Sequence, residues 1–335
     1  MDKNKDNGSP PRFDPNVLNG TKDFPENKQQ GESTLRWKDY LVTQEPEDLP
    51  PLLKIGESPV WTTGNHSLII GKKKSRKTLF LTWLIGEFKK QSGNLNEVLI
   101  VDTEQGKKHV WKSRDRIFKL TKQYVHSLTL RGINTEERKD IIEQAIKEGK
   151  FKVVLIDGIR DLLGNINDPD QCTDLVIWIE KLTVTYGLHI VNILHQNKTD
   201  TNARGHIGSE LLNKAEITIE LELDEKAKCT LVKCESSRDI PFESFAFTHN
   251  DQDLPELVSM PINGKALPDI EQKKRLAFVF EDAALKYNEV IEGIRNHFEA
   301  GIVAAKKIKA ECERKGWIVK SGKDNSPDTV YKLMI

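Results

Sequence analysis

From Trp61 to about Asn250, short unbroken apolar runs alternate with longer stretches of helical period. The runs at Ser67–Ile70, Glu97–Asp102, Ser127–Leu130, Lys152–Asp157 and His189–His195 predict strands, because a strand covered on both faces needs an apolar residue at nearly every position. Between them, the spacing predicts helices over Thr78–Gln91, Thr135–Glu148 and Asp170–Tyr186. This alternation predicts an α/β fold, with a mostly parallel sheet covered by helices on both faces. Three later runs, Ala215–Leu223, Cys229–Glu235 and Glu243–Thr248, follow at short intervals and predict antiparallel strands closing one edge.

The flanks follow other rules. Residues 1–34 are rich in Asn, Lys, Asp, Pro and Gly and carry too little apolar surface to offset the entropy of ordering, so a disordered tail is expected. The α/β domain is expected over 35–250, with a lead-in broken at Pro50 and Pro51, and a polar, Pro-containing linker over 251–271. Within 272–335, helical stretches at Arg275–Lys286, Asn288–Phe298 and Ile302–Lys315 precede two short strands, Trp317–Lys320 and Thr329–Met334. Three helices followed by a hairpin is the plan of a winged helix.

Composition narrows the picture modestly. Of 335 residues, 37% are hydrophobic and 30% charged, and no run approaches the roughly 20 apolar residues of a membrane span, so a cytoplasmic protein without a membrane partner is expected. The four cysteines, Cys172, Cys229, Cys234 and Cys312, lack paired metal-ligand spacing and read as thiols in a reducing compartment. The formal net charge is zero, so contact with nucleic acid must come from local patches.

Candidate chemistry begins at SLIIGKKKSRKTLF, where a strand, a Gly-x-x-x-x-Arg-Lys-Thr loop and a helix follow one another. Backbone N–H groups from Gly71 through Lys72, Lys73, Lys74, Ser75 and Arg76 can curl around phosphates at a helix N-terminus. Lys77 would reach the β- and γ-phosphates of ATP, and the Thr78 hydroxyl would hold Mg²⁺. Arg76 stands where such loops usually carry a second glycine. A left-handed backbone there would cost an arginine about 1 kcal/mol; its side chain could point outward or supply a further cation. Three more strand ends fall on the edge where α/β sheets bind ligands. VLIVDTEQ brings Glu104, which could deprotonate a water. FKVVLIDG brings Asp157, a carboxylate for Mg²⁺. HIVNILHQNK brings His195, Gln196 and Asn197, where an amide can sense a γ-phosphate.

As a set, these motifs resemble the RecA-like ATPase family, and among its members the hexameric helicases of the DnaB and RepA types. The resemblance covers roughly Trp61 to Thr248. It implies a catalytic glutamate at Glu104, a metal-side aspartate at Asp157 and a sensor at Gln196. It also implies a mobile DNA-facing loop around Arg204 and Gly205, and a homo-oligomeric ring, such as a hexamer, threaded by single-stranded DNA. The arginine finger that such rings supply in trans maps to Arg238, although its spacing departs from the pattern. The GKxKSRKT loop with DTEQ also resembles ATPases carried on mobile elements of gut Bacteroidetes.

In the C-terminal stretch, eight basic residues face four acids between Ala300 and Ile335. With Ile302, Ala305, Ile308 and Cys312 as the inward stripe, Lys306 and Lys309 would project from a recognition helix toward duplex DNA, with Lys323 at the wing tip. Two functions fit these observations. One is an ATP-hydrolysing helicase or remodeller acting in replication or mobilisation of a mobile element; the other is a nucleotide-gated winged-helix regulator or initiator with weak ATPase activity. A small-molecule kinase is disfavoured, because no acceptor lid is evident.

Overall fold

The computed structural model describes residues 41–43, 45, 49–196, 203, 205–261, 267–281, 283–322 and 329–334. The expected tail over 1–34, Arg204 and Lys323 lie outside the described residues. A short hairpin, β1 (Leu53–Ile55) and β2 (Ser58–Trp61), precedes the main sheet. Then come β3 (His66–Gly71), α1 (Lys77–Ser92), β4 (Val98–Asp102), α2 (Lys107–Thr121), β5 (His126–Thr129) and α3 (Thr135–Gly149). They are followed by β6 (Val153–Asp157), α4 (Pro169–Tyr186), β7 (His189–His195), α5 (Gly205–Lys214) and β8 (Ile217–Asp224). The antiparallel strands β9 (Cys229–Ser237), β10 (Phe245–His249) and β11 (Pro255–Val258) complete the sheet.

The described strands of this sheet lie in the order β11-β10-β9-β8-β3-β7-β6-β4-β5. From β8 to β5 every pairing is parallel. The α/β architecture is thus a mixed, mostly parallel sheet. Alternation along each strand divides the core: Leu68, Ile70, Val154 and Ile156 pack against α3, α4 and α5, whereas Ile69, Val153, Leu155 and Ile193 pack against α1 and α2. Phe80, Leu84 and Phe88 seat α1 on this second face, which fixes the position of its N-terminus.

Three elements depart from the sequence expectation. The β1–β2 hairpin occupies the lead-in, α2 fills a basic stretch read as irregular, and β11 lies inside the expected linker, paired with β10. The C-terminal stretch forms α6 (Asp269–Phe280), α7 (Tyr287–His297) and α8 (Ile302–Arg314), then β12 (Ile318–Ser321) paired with β13 (Val330–Leu333). Leu276, Phe280, Val290, Ile294, Ala305, Ile308, Trp317 and Tyr331 give these elements their own core. Among the described residues no helix is long and apolar enough to cross a membrane.

Candidate nucleotide site at the carboxyl edge of the sheet

The chain turns out of β3 at Gly71. A Cβ there would lie 2.5 Å from Ser75 Oγ and 2.8 Å from the Leu221 carbonyl, so only glycine lets the loop fold back against β8. Residues 72–76 carry the chain into α1, with Lys74 (φ 72°) and Arg76 (φ 62°) in the left-handed region. Arg76 is the N-cap of α1, and no side chain caps that helix, which leaves its first N–H groups available to an anion. Lys77 Nζ donates to the carbonyls of Gly71 (2.7 Å) and Lys72 (3.0 Å), closing the loop on itself. Burial lowers the Lys77 pKa to about 8, opposed by Asp157 and Glu104. The Ser75 hydroxyl is buried without a hydrogen-bond partner.

Parallel register puts Asp102 beside Asp157 at the ends of β4 and β6. Asp102 Oδ1 accepts from the N–H groups of Glu104 (3.0 Å) and Gln105 (2.6 Å), so it shapes the turn that presents Glu104. Thr103 Oγ1 donates to the Gly158 carbonyl (2.9 Å) and ties this turn to β6. Gly158, at φ 97°, is the second position where only glycine serves: a Cβ would sit 2.2 Å from Thr103 Oγ1 and 3.1 Å from Glu104 Cγ. Burial raises the Asp157 carboxyl to about 6, aided by Asp102 and Glu104 and opposed by Lys77 and His195. Burial also raises Asp102.

Glu104 goes the other way. His195 Nε2 stands 3.9 Å from Glu104 Oε2. The histidine holds this carboxyl below the ordinary range, with help from Lys77 and Arg160 and against partial burial. Neighbouring carboxyls driven in opposite directions are how a site separates its base from its other acids. Thr78, Asp102 and Asp157 line one small cavity of about 20 Å³, room for a single ion or water. A hydroxyl and two crowded carboxylates form a hard-oxygen donor set suited to Mg²⁺.

The structure therefore brings Gly71, Ser75, Lys77, Thr78, Glu104 and Asp157 together. It arranges the other expected residues differently. Arg76 Nη1 donates to the Lys228 carbonyl (3.0 Å) and to Thr248 Oγ1 (3.4 Å), so its guanidinium reaches the β8–β9 turn and β10. Lys72, Lys73 and Lys74 are exposed on the outside of the loop. Gln196 reaches the loop through its own N–H, which donates to the Gly71 carbonyl at 3.2 Å. Its side-chain amide donates to Glu220 Oε1 (2.7 Å) on β8. Arg238 follows β9, whose antiparallel course ends at the opposite edge of the sheet, where Ser237 pairs with Ile217 at the start of β8. Its Nη2 donates to the Asn213 and Lys214 carbonyls at the C-terminus of α5, as a capping arginine does.

On α8 the expected basic face is halved. Lys306 is exposed, as is Lys307. Lys309 is buried: its ammonium pairs with Glu313 (2.8 Å) and lies over the rings of Tyr331 (4.0 Å) and Tyr287 (5.1 Å). Ile302, read as part of the inward stripe, is 54% exposed, because the first turn of α8 runs beyond the C-terminal core. His195 and Asp102 are the contributors to the site that motif spacing did not assign. Their signal was available: both sit at the ends of buried strands beside residues already singled out.

No family model matches the chain, and neither does any curated protein. Among solved structures the chain is similar to the ATPase domain of a DnaB-like helicase, with a TM-score of 0.45 and 13% identity over 62% of this chain and 86% of that one. A likeness this slight carries no functional argument.

Proposed function

We propose that the protein is a Mg²⁺-dependent ATPase of RecA-like type that acts on DNA. The observation that carries this reading is the convergence of three strand ends on one loop. The cation of Lys77, the Thr78–Asp102–Asp157 cavity and the ionised Glu104 meet where α1 offers its N–H groups. Lys77 would exchange its two loop carbonyls for β- and γ-phosphate oxygens. Thr78 and Asp157 would hold Mg²⁺, which offsets charge on the phosphates when bound. Glu104, kept ionised by His195, would orient a water for in-line attack and accept its proton. His195 would hold the carboxylate on its line of approach. Gln196, tied through its backbone to Gly71 and through its amide to Glu220, is suited to report movement of the loop to β8.

The three C-terminal helices and hairpin would form a winged helix that contacts duplex DNA through Lys306, with Lys307 taking the place expected of Lys309. Subunits would assemble as a homo-oligomer. The mobile-element setting rests on the resemblance of the loop and DTEQ segments alone. A second reading, a nucleotide-gated DNA-binding regulator with slow turnover, is favoured by the strained pair Lys74 and Arg76 in the phosphate loop. Phosphate release by the full chain, measured with and without single-stranded and duplex DNA, separates the two. DNA-stimulated turnover supports the motor; duplex binding with flat turnover supports the regulator. Absence of Mg²⁺-ATP binding would sink both.

A further inference from the structure

Helix α2 carries a surface that the nucleotide site does not use. It leaves the Glu104 turn with Gly106 as its N-cap and has no side-chain cap. Its residues include Lys107, Lys108, Lys112, Arg114, Arg116 and Lys119 against a single acid, Asp115. Some of this charge is neutralised locally: Lys112 and Arg116 pair with Asp253, and Lys119 pairs with Asp115. Lys107, Lys108 and Arg131 have no carboxylate partner among the described residues. They gather at one place, since Arg131 Nη1 comes within 3.7 Å of where a Cβ on Gly106 would stand.

Beside this cluster a column of flat groups is already stacked. Phe118 lies on Tyr124 at 4.4 Å with an interplanar angle of 16°. The Arg114 guanidinium lies over the Tyr124 ring at 4.6 Å and over Trp111 at 5.4 Å. Arg114 is held in place by its Nε bond to the Val125 carbonyl (3.0 Å). The column ends on Trp111, an indole 56% exposed one helical turn beyond Lys107 and Lys108. A large aromatic usually buries most of its surface, so this one is displayed rather than packed.

We infer that this flank of α2 is a binding platform for single-stranded polynucleotide, with a base stacked on Trp111 and adjoining phosphates held by Lys107, Lys108 and Arg131. Charge selects this occupant. Cations set one turn from an open aromatic face match the alternation of phosphate and base, whereas a protein partner would have to bring an acidic and aromatic surface together. The inference is independent of ATP hydrolysis and of the C-terminal helices.

The test uses the full chain without nucleotide, titrated into fluorescein-labelled oligo-dT and oligo-rU of about 20 residues, longer than the site one such platform covers. Anisotropy is read at several salt concentrations. Base–aromatic stacking of about 1–3 kcal/mol predicts that Trp111→Ala weakens binding roughly five- to 150-fold, while Trp111→Phe restores most of it. The Lys107→Glu/Lys108→Glu pair should weaken binding and flatten its salt dependence, since each lost phosphate contact removes about 0.7 from the slope. The two oligonucleotides distinguish a DNA from an RNA ligand, and preference for either supports the platform. Should Trp111→Ala fail to fold, the lysine pair and Trp111→Phe carry the test. The inference is overturned if the wild-type chain binds neither oligonucleotide, or if Trp111→Ala binds both as wild type does. A change in molecular mass in Trp111→Ala with unaltered affinity would also overturn it and assign the surface to contact between copies of this chain.

Discussion

Replacing Arg76 with glycine separates two roles that an arginine in a phosphate loop can have. The residue sits at φ 62° and ψ 33°, where a Cβ costs about 1 kcal/mol. Against that cost, its guanidinium donates to the Lys228 carbonyl at 3.0 Å and to Thr248 Oγ1 at 3.4 Å, linking the start of α1 to the β8–β9 turn and β10. A charge-assisted bond of this kind contributes about 1.5 kcal/mol, at the low end of its range because the site is partly solvated. The two effects oppose each other, so Arg76→Gly should leave stability within about 1 kcal/mol of wild type. Arg76→Ala loses the same bond but keeps a Cβ in the left-handed region, and should fall below the glycine variant by about 1 kcal/mol. Because the guanidinium points away from the anion side of the loop, neither variant should bind ATP more than about threefold more weakly, a change of roughly 0.7 kcal/mol. Hydrolysis by Arg76→Gly should equal or exceed that of wild type. Urea denaturation, titration with a fluorescent ATP analogue and phosphate release on the same preparations give all three quantities. A tenfold loss of ATP affinity in a fully folded Arg76→Gly protein would refute the reasoning and make Arg76 a phosphate ligand.

Further consequences follow from the site and its surroundings. Lys77→Ala should abolish Mg²⁺-ATP binding or turnover, read by calorimetry and phosphate release, because Lys77 is the ammonium that the loop holds over its own carbonyls; wild-type turnover would remove the loop from the mechanism. Glu104→Gln should bind ATP normally and hydrolyse it at least about a hundredfold more slowly, the usual loss for a positioned base; unchanged hydrolysis would put the activation of water elsewhere. Glu216→Gln concerns stability. Burial raises Glu216 from 4.5 to about 7 while it accepts from Thr62, so the folded chain holds a proton there that the unfolded chain has lost. The wild-type carboxyl therefore costs nothing below about pH 4.5 and progressively more up to pH 7, in total about 3 kcal/mol. The variant should gain on wild type across that window in denaturation measured against pH, and a difference independent of pH would contradict the assignment.

Much of the architecture was legible in the sequence because the central strands are buried on both faces and show as unbroken apolar runs, as in VLIVD and VVLID. The same runs end in acids, which is why Glu104 and Asp157 could be placed on one edge before their spatial neighbours were known. Elements with only one apolar flank were harder to read. In α2 the inward residues Val110, Ile117 and Leu120 are diluted by the lysines and arginines at 107, 108, 112, 114, 116 and 119, which hide the helical period. In β11, Pro255 and Glu256 mask a strand that needs just one neighbour, β10, and a proline is tolerated at such an edge.

Side-chain direction is a further step removed from pattern. Arg76, Gln196, Arg238 and Lys309 were each assigned from position along the chain, and each is diverted by an acceptor or ring that a distant segment supplies: Lys228, Glu220, the end of α5, and Tyr331. Lys309 shows the physics plainly. It follows Ile308 directly, near the margin of the buried stripe, and a four-carbon stem can lie along apolar surface while its ammonium finds a carboxylate. Glu313 one turn on and the tyrosine faces from α7 and β13 provide what water would otherwise supply. Lys306 lies where no such partners are within reach, and it stays exposed. Charge counted along a helix therefore overstates the charge the helix displays, and the displayed remainder, Lys306 and Lys307 on α8, is what duplex DNA would meet.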